Sequence, residues 1–518
     1  MNYKKEKITY KRNWKGLFKI LLLLLILIFV FFRTYSLHSN YKFPIHVDEW
    51  QHLAQIVSVS EGKLNWNPYF NEPHLDLELG FHFIWAIFAV LLGSQNFIIF
   101  YAYLPAIFAV LSSIALFIFV KKITKNYCTA IFSVLFFALL KSSVNILGID
   151  FFTPLTMSIP FMYLFMLFFI EGVEDNDRKK FLESVLLLAI TFLIHPPSAA
   201  IFIPAAIIYL LLNKKFIVSQ KKILLMITAL AIVAFSSLTV LLKISGRPVL
   251  ATLAKYFIFP LGWTGLEIKY FLPFLYTIPA TILALIGIYT GLQKPKENFI
   301  VIFAIVTTAL TAIFHNYEFS ILAPYQRVLY YALLSLVPLS AIGATAFLKY
   351  VNELLGHFSI SRNVTRIIIV LITIIIFVSV FASRYGLVDD RRTYSEMVVY
   401  QKDYDSLKWT GEHYSNKTIM TPVFMSSAVY PISKNMVQAL IPAQLGTFDR
   451  QEERIEDAIR FYNSTNCTEM SSIVEKWKVD LIVSRKKIAC PDTARFIKNV
   501  YDQQDFVYEN VYEADKLD

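Results

Sequence analysis

The sequence has few charged residues for its length, and this scarcity excludes most soluble folds. Only 17% of the 518 residues are charged, whereas 56% are hydrophobic. A soluble protein of this length could not bury so much apolar surface, so we expect a polytopic α-helical membrane protein. The net charge of +11 would suit a nucleic-acid partner. We exclude that partner, because the Lys and Arg residues cluster between apolar runs, as they do in cytoplasmic loops.

The N-terminal segment lacks a small-residue cleavage site, which argues against a removable signal peptide. It reads MNYKKEKITYKRNWKGLFKILLLLLILIFVFFR, a basic stretch followed by an apolar run that ends at Phe32. This pattern predicts an uncleaved anchor with the N-terminus in the cytoplasm.

Cysteine is also scarce, with 3 residues in the chain. Cys128 lies at the start of a predicted span, whereas Cys467 and Cys490 lie in the polar C-terminal part. A disulfide between the last two would fit an extracytoplasmic location, and two unpaired thiols are an equal alternative.

The apolar runs predict about eleven membrane-spanning helices, counting runs that approach 20 residues. These runs are 16–32, 97–120, 127–147, 153–170, 181–195, 198–213, 223–243, 270–292, 299–314, 328–348 and 367–382. A further run, 80–93, is too short to cross and suggests a re-entrant or interfacial helix. If it does not cross, the basic clusters between the spans fall on the side of the N-terminus. Loop 33–96 and everything after about residue 383 are then outside a plasma membrane.

The C-terminal part differs from the rest in composition. Its segments YDSLKWTGEHY and EERIEDAIRFY are typical of amphipathic helices, and KTIMTPVF and KVDLIVS are typical of short strands. We therefore predict a transmembrane catalytic domain over 1–386 and a small extracytoplasmic α/β domain over 387–518. We find no internal repeat.

Loop 33–96 is the first candidate for chemistry, because loops of this length are usually functional. It contains HVDEWQH, residues 46–52, and later NEPHLDLELGFH. On a helix, Asp48 and His52 share one face at i and i+4. Such a carboxylate could accept a proton from an incoming hydroxyl or amide, or bind a divalent cation. The alternative is a solvated loop with ordinary polar acids, but buried carboxylates beside a membrane are costly and usually functional.

Two further candidates lie in short predicted outer loops. Asp150, in ILGIDFFTP, is at the outer end of a span, where it could also be a helix cap. His195, in LIHPPSAA, lies between two short spans that prolines interrupt. Broken helices at membrane depth line cavities or are buried in protein, and a simple hairpin turn is the alternative.

Later outer loops carry cations. Arg327 begins a span, where its guanidinium could hold a phosphate through two hydrogen bonds, and Glu318 flanks the same loop. An interfacial arginine that reaches toward water is the alternative. Lys255 lies in loop 244–269. Cations on this side oppose the positive-inside tendency, and an anionic lipid headgroup would explain them.

Together these motifs resemble the GT-C class of membrane glycosyltransferases. A first span is followed by a long outer loop with an Asp-Glu motif, VDEWQHLAQI, and then by NPYFNEPH and the short apolar helix GFHFIWAIFAVLLG. Asp150 matches a second acid at the outer end of a span. LKWTGEHYSNKTIM and EKWKVDLIVS resemble the C-terminal domain of the class. The resemblance covers nearly the whole chain and depends on motif order and spacing.

The resemblance implies inverting transfer of a sugar from a polyprenyl-phosphate carrier to an acceptor outside the cytoplasmic membrane. By analogy, Asp48 is the catalytic base or positions the acceptor, with Glu49 beside it. Asp150 is the second acid, Arg327 holds the lipid phosphate, and Glu318 corresponds to a late-loop acid of oligosaccharyltransferases.

The remaining expectations concern substrates and cofactors. His52, His195 and Lys255 join the substrate-binding set, and a cation such as Mg²⁺ or Mn²⁺ between Asp48 and Asp150 is a hypothesis. The expected partners are the lipid-linked donor, membrane lipids, and a glycan, lipid or protein acceptor. The WWDYG signature is replaced by TPVFMSSAVYP, which argues against sequon-directed protein N-glycosylation.

The main alternative is a secondary transporter or a flippase for lipid-linked sugars. Transporter sites usually lie near the bilayer midplane between repeated halves. Here the acids lie in predicted outer loops and no repeat is present, so the transferase is favoured. A membrane scaffold without activity would leave the acidic first loop unexplained.

Overall fold

We analysed a computed structural model of the chain. It describes residues 14–74, 76–140, 142, 146–244, 258–260, 272–385, 397–440, 450–488, 497–502 and 505–510. Three predictions lie outside these residues: the role of Lys255, the pairing of Cys490, and the domain boundary at 386–387. Cys467 is disulfide-bonded, whereas Cys128 is a free, exposed thiol.

The N-terminal three quarters of the described chain are almost entirely helical. The helices, which we number α1 to α17, are Trp14–Tyr35, Val47–Ser60, Leu79–Leu92, Ser94–Tyr101, Leu104–Thr124, Tyr127–Ala138, Pro154–Glu174, Arg178–Ile194, Pro196–Ala200, Phe202–Leu212, Lys214–Ser219, Lys221–Ile244, Leu272–Tyr276, Ile278–Gly291, Pro295–Tyr317, Tyr325–His357 and Arg362–Tyr385. Two small antiparallel ladders interrupt them, β1 (Trp66–Asn67) with β2 (Glu72–Pro73) and β3 (Ile258–Pro260) with β4 (Phe319–Ile321).

Six helices of the described ranges are long and apolar enough to cross a membrane, so the chain is a multi-pass membrane protein. They are Gly16–His38, Leu104–Thr124, Pro154–Glu174, Pro295–Tyr317, Tyr325–His357 and Arg362–Ala382. Helices α3 and α4 bend by 119° against each other, as in a broken span or a re-entrant segment, and would make a seventh. The predicted number of about eleven spans is not confirmed. Most of the other predicted runs form helices of 17 residues or fewer, such as Tyr127–Ala138 and Ile278–Gly291, which are short for a bilayer.

The membrane helices pack closely where glycine removes the side chain. A Cβ atom on Gly343 of α16 would lie 1.8 Å from the carbonyl oxygen of Leu283 on α14. No side chain fits there, so the two backbones are in contact, a common feature of helix pairs in membranes. This contact fixes the position of α16, whose first turn carries Arg327.

The C-terminal residues form a mixed five-stranded sheet with helices around it. The strands are β5 (Thr418–Met420), β6 (Met436–Val437), β7 (Leu481–Ser484), β8 (Ile497–Tyr501) and β9 (Phe506–Asn510), in the order β6-β5-β7-β9-β8. β5 runs parallel to β6 and β7, and β9 runs antiparallel to β7 and β8. The helices, α18 to α21, are Gln401–His413, Ser426–Ser433, Gln451–Asn463 and Cys467–Lys476.

The sheet region and the first loop share one hydrophobic core. The Tyr41 hydroxyl donates to the carbonyl oxygen of Val399 over 2.7 Å, and the Tyr69 hydroxyl donates to that of Ser427 over 2.6 Å. Trp50 of α2 is completely buried in this core. Helix α2, which carries the Asp-Glu motif, is therefore held from the side of the C-terminal residues.

Candidate active site and metal centre

The side chains of His46 and Glu49 accept hydrogen bonds from backbone N–H groups at the N-terminus of helix α2. His46 is the N-cap, and its Nδ1 accepts a hydrogen bond from the Asp48 N–H over 3.0 Å. Glu49 accepts from the N–H groups of Ile45 and His46 at 3.0 and 3.1 Å, which completes a capping box. Its other oxygen accepts from the Phe152 N–H over 2.8 Å. The carboxylate of Glu49 thus binds three backbone groups, and burial raises its pKa to about 7.

Asp48 forms an ion pair with Arg327, which lies 279 positions later in the chain. Nη2 of Arg327 donates to Oδ2 of Asp48 over 3.3 Å. The Asp48 side chain is 3% exposed and that of Arg327 is 18% exposed, so the pair lies at the edge of a buried site. Oδ1 of Asp48 is buried and has no hydrogen-bond partner within the described part of the chain. One oxygen is therefore oriented by the guanidinium, and the other retains its full capacity to accept a proton or a hydrogen bond.

Two histidines and a glutamate converge beside this pair. Nδ1 of His52 lies 3.1 Å from Nε2 of His82 and 3.7 Å from Oε2 of Glu78. One ligand atom from each of the three residues lies within 4.8 Å of the other two, a spacing that a single metal ion could bridge. His52 is one turn beyond Asp48 on α2, as the i, i+4 spacing predicts.

The second half of the first loop folds back to deliver these groups. The β1–β2 ladder turns the chain, and the Asp76 N–H donates to Asn65 Oδ1 over 3.2 Å. Asp76 then accepts from Nδ1 of His82 over 2.6 Å. At Gly80 a Cβ atom would lie 2.4 Å from the Leu193 carbonyl oxygen, so glycine allows α3 to lie against the end of α8. This contact places Glu78 next to His195.

His195 occupies the turn between α8 and α9. It ends α8 because Pro196 and Pro197 follow it and cannot continue the helix. Nε2 of His195 lies 3.5 Å from Oε1 of Glu78. Its Nδ1 contacts the Ser198 hydroxyl at 2.7 Å and the Tyr331 hydroxyl at 3.3 Å. The imidazole is thus held on one side by hydroxyl groups and faces the carboxylate with the other.

The electrostatics of the cluster follow from burial and from Arg327. Burial raises the pKa of Glu78 to about 7, although its interactions with His82 and Arg327 oppose the rise. Burial lowers the pKa of His52 well below its ordinary value, and the neighbouring His82 and Arg327 add to this effect. Burial would also raise the pKa of Asp76, but its contact with His82 prevails and the pKa is lowered. His52 is therefore neutral at physiological pH, the form in which histidine binds metals.

The architecture as a whole matches solved membrane glycosyltransferases. The Archaeoglobus fulgidus oligosaccharyltransferase in the apo form is 12% identical, with a TM-score of 0.55 over 91% of this chain and 70% of its own. The same enzyme, AglB, in complex with an inhibitory peptide and a dolichol-phosphate gives a TM-score of 0.54 with the same identity and coverage. ArnT from Cupriavidus metallidurans in the apo state is 12% identical, with a TM-score of 0.55 over 96% of this chain and 99% of its own.

At these identities the solved structures show the fold alone. A match to a family model comes from the sequence. The family model of dolichyl-phosphate-mannose-protein mannosyltransferases matches residues 78–239, a segment that begins at Glu78. The chain is a GT-C class membrane glycosyltransferase. No curated protein sequence matches it.

Not every residue that the sequence singled out in this GT-C glycosyltransferase lies in the cluster. Asp48, His52, His195 and Arg327 come together around Glu78. Glu49 lies behind them and binds backbone groups. Glu318 is exposed after the end of α15.

Asp150 has different surroundings from Asp48. It forms an ion pair with Arg33 at the end of α1, in which Nη1 of Arg33 donates to Oδ1 and Nη2 donates to Oδ2. The hypothesis of a cation between Asp48 and Asp150 stays a prediction, since each acid already contacts its own arginine. Within the described chain, the group that could hold a metal is His52, Glu78 and His82.

Sequence reasoning did not select Glu78, His82 and Asp76 as site residues. A signal was present, because Glu78 and His82 are separated by four residues at the start of an apolar helix. Asp76 and Glu78 also flank the turn into that helix. Their contact with His52 depends on how the loop folds back, which local spacing alone does not specify.

Proposed function

We propose that this glycosyltransferase transfers a sugar from a polyprenyl-phosphate donor to an acceptor at the extracytoplasmic face, with inversion and with Asp48 as the general base. The observation that carries the proposal is the Asp48–Arg327 pair, in which a buried carboxylate oxygen with no hydrogen-bond partner among the described residues adjoins a guanidinium. The donor class is supported by the family name and by the dolichol-phosphate in the AglB complex. The acceptor class, whether glycan, lipid or protein, stays open.

The side of the membrane follows from charge. The basic clusters between the apolar runs indicate a cytoplasmic N-terminus. The first loop and the C-terminal sheet share one core, so they lie on the same side of the membrane. We therefore place both outside the cytoplasm, with α1 as the anchor between the two sides.

In the proposed reaction, an acceptor hydroxyl or amine gives its proton to Oδ1 of Asp48 while its oxygen or nitrogen bonds to the anomeric carbon. The bond between that carbon and the phosphate oxygen breaks, and polyprenyl phosphate leaves with the electron pair. Attack opposite the leaving group inverts the anomeric centre.

Arg327 stabilises the departing phosphate in this scheme. Its guanidinium has five N–H donors, and the contact with Asp48 uses one of them. A hydrogen bond that strengthens as charge develops on the leaving oxygen lowers the barrier. The same guanidinium holds Oδ2 of Asp48 in place, which leaves Oδ1 to act as the base.

The divalent cation expected from the sequence fits the second cluster better than the aspartates. His52, Glu78 and His82 offer nitrogen and oxygen donors that already converge. A cation bound there would supply positive charge next to Arg327 and stabilise phosphate in the transition state. Asp76 and His195 would orient its ligands.

The decisive experiment is transfer by the purified protein with synthetic polyprenyl-phosphate sugars, measured as glycosylated product or carrier hydrolysis. We expect Asp48→Asn to reduce the rate about 10²–10⁴-fold, because the amide cannot accept the proton. Asp175→Asn, at a half-exposed ion pair with Lys296, is the matched control and should keep the full rate.

Equal rates for wild type and Asp48→Asn would remove Asp48 from the mechanism. Movement of the lipid-linked sugar across vesicles without any covalent product would favour the transporter alternative.

A further inference from the structure

The first loop contains a cluster whose chemistry goes beyond positioning of the acceptor. We propose that His52, His82 and Glu78 bind a transition-metal ion of the Zn²⁺ type, with Asp76 and His195 as supporting partners and one coordination position open. The metal site itself does not depend on the proposed reaction. Only the assignment of the open position to a phosphate oxygen rests on that function.

The spacing of the donor atoms suits one small ion. The separations of His52 Nδ1 from His82 Nε2 and Glu78 Oε2 are 3.1 and 3.7 Å. Ligands at Zn²⁺ bond lengths of about 2.0–2.1 Å lie roughly 3.3 Å apart in a tetrahedron. The three side chains thus already have nearly the separation that a tetrahedral site needs.

The hydrogen bond from His82 to Asp76 sets the orientation of the second imidazole. Asp76 accepts the Nδ1 proton of His82 over 2.6 Å. The lone pair of His82 Nε2 therefore points toward His52. A carboxylate that holds the distal nitrogen of a histidine is the usual outer partner of a histidine that binds a metal.

Glu78 has an equivalent support on its other oxygen. Oε1 of Glu78 lies 3.5 Å from Nε2 of His195, while Oε2 faces His52. His195 is itself held by the hydroxyls of Ser198 and Tyr331. The carboxylate is thereby fixed between two imidazoles, with one oxygen available to the ion.

The donor types select the metal. Two imidazoles and one carboxylate form the set that binds Zn²⁺ in catalytic sites, where the fourth position holds water or substrate. Mg²⁺ prefers oxygen donors and keeps several waters, so a site with two imidazoles disfavours it. The structure therefore favours Zn²⁺ over the Mg²⁺ or Mn²⁺ that the sequence suggested. The open position would face the phosphate beside Arg327.

The test is the metal content of the full-length protein. The protein is purified without chelators and equilibrated with an equimolar amount of Zn²⁺ and an excess of Mg²⁺. By elemental mass spectrometry we expect about one Zn²⁺ per chain in wild type, and loss in His52→Ala and His82→Ala. His413→Ala, at an exposed histidine of α18, is the control and should keep its Zn²⁺. Equal Zn²⁺ content in wild type and His82→Ala, or no Zn²⁺ in wild type, would overturn the proposal.

A second measurement does not need the ligand variants to fold. Asp76→Asn keeps all three ligands, and we expect its Zn²⁺ affinity to fall about 10–100-fold in competition with a chromogenic chelator. Unchanged affinity would contradict the proposed arrangement. Zn²⁺ binding without sugar transfer would leave this site intact and reject the proposed function. Sugar transfer by wild-type protein that takes up no Zn²⁺ would support the proposed function and reject this site.

Discussion

Asp48 and Asp150 are buried aspartates that each meet an arginine, and they differ in which of their oxygens has a hydrogen-bond partner. Arg33 donates to both oxygens of Asp150, and its Nη2 also donates to the Leu140 carbonyl oxygen over 3.1 Å. Arg327 reaches only one oxygen of Asp48, and the other has no hydrogen-bond partner among the described residues. Burial and pairing are common to both acids. The difference indicates that an incompletely satisfied buried group, rather than a buried acid as such, marks the candidate site.

The largest expected effect is on stability, and it concerns the pair of Arg33 and Asp150. Arg33→Met leaves Asp150 as an uncompensated buried charge and should lower the free energy of unfolding by about 3–5 kcal/mol. Chemical unfolding in detergent measures this loss. The double variant Arg33→Met with Asp150→Leu should recover most of the stability, because it removes both charges.

The same double variant, assayed for sugar transfer, also tests whether Asp150 differs from Asp48 in its role. If it folds and transfers sugar, Asp150 stabilises the fold. If it folds and is inactive, the predicted catalytic role of Asp150 stands and the contrast with Asp48 fails.

Substitution in the pair of Asp48 and Arg327 should reduce sugar transfer more than it reduces stability. Arg327→Met removes the donor to the leaving phosphate, and we expect the rate of sugar transfer to fall about 10²-fold. The free energy of unfolding should fall by less than it does for Arg33→Met, because Arg327 donates to only one oxygen of Asp48 and its side chain is partly exposed. Arg366→Met, at an exposed arginine of α17, is the control. A large loss of stability with an unchanged rate per folded molecule would contradict the comparison.

The smallest expected effect extends the comparison to another aspartate–arginine pair, in the C-terminal part of the chain. Arg485 donates to both oxygens of buried Asp403, at 2.9 and 2.7 Å. A second buried acid, Asp505, lies near this pair, with Lys402 Nζ at 3.5 Å. Burial and then the Asp403 carboxylate raise the pKa of Asp505 to about 7. The Arg485 guanidinium thus pairs with Asp403, whereas Asp505 takes up a proton near pH 7 in the folded protein.

The sign of the pH dependence follows. Neutral Asp505 contributes stability that is complete below its ordinary pKa and is lost as the pH rises toward 7. Asp505→Asn should therefore raise the melting temperature by roughly 2–4 °C at pH 8, and less at pH 5. Asp502→Asn, at an exposed acid of the same hairpin, should show no such difference. An equal gain at both pH values would show that Asp505 is ionised in the folded protein.

The sequence was most informative where local pattern decides structure. The apolar runs predicted a polytopic helical protein, and the i, i+4 spacing placed Asp48 and His52 on one face of α2. Topology put Asp48 and Arg327 on the same side of the membrane, and the two lie 3.3 Å apart. The number of spans was less accessible, because short helices and bends such as that at Gly93 change how a run of given length crosses.

Long-range packing explains what the sequence did not predict. Arg33 and Asp150 are 117 residues apart and meet only because α1 packs beside the segment before α7. Glu78 and His82 face His52 only after the β1–β2 ladder reverses the chain and Gly80 admits α3 to α8. No local periodicity encodes these contacts, so their residues were either assigned to a different role or omitted.

The hydrogen bonds from Tyr41 and Tyr69 to residues beyond position 396 have a practical consequence. A shortened protein that ends after α17 would retain every long apolar helix and still insert into a bilayer. It would nevertheless expose the apolar side of α2 to water, and the motif at residues 46–52 would lose its rigid backing. Engineering of this enzyme should therefore keep the two ends of the chain together.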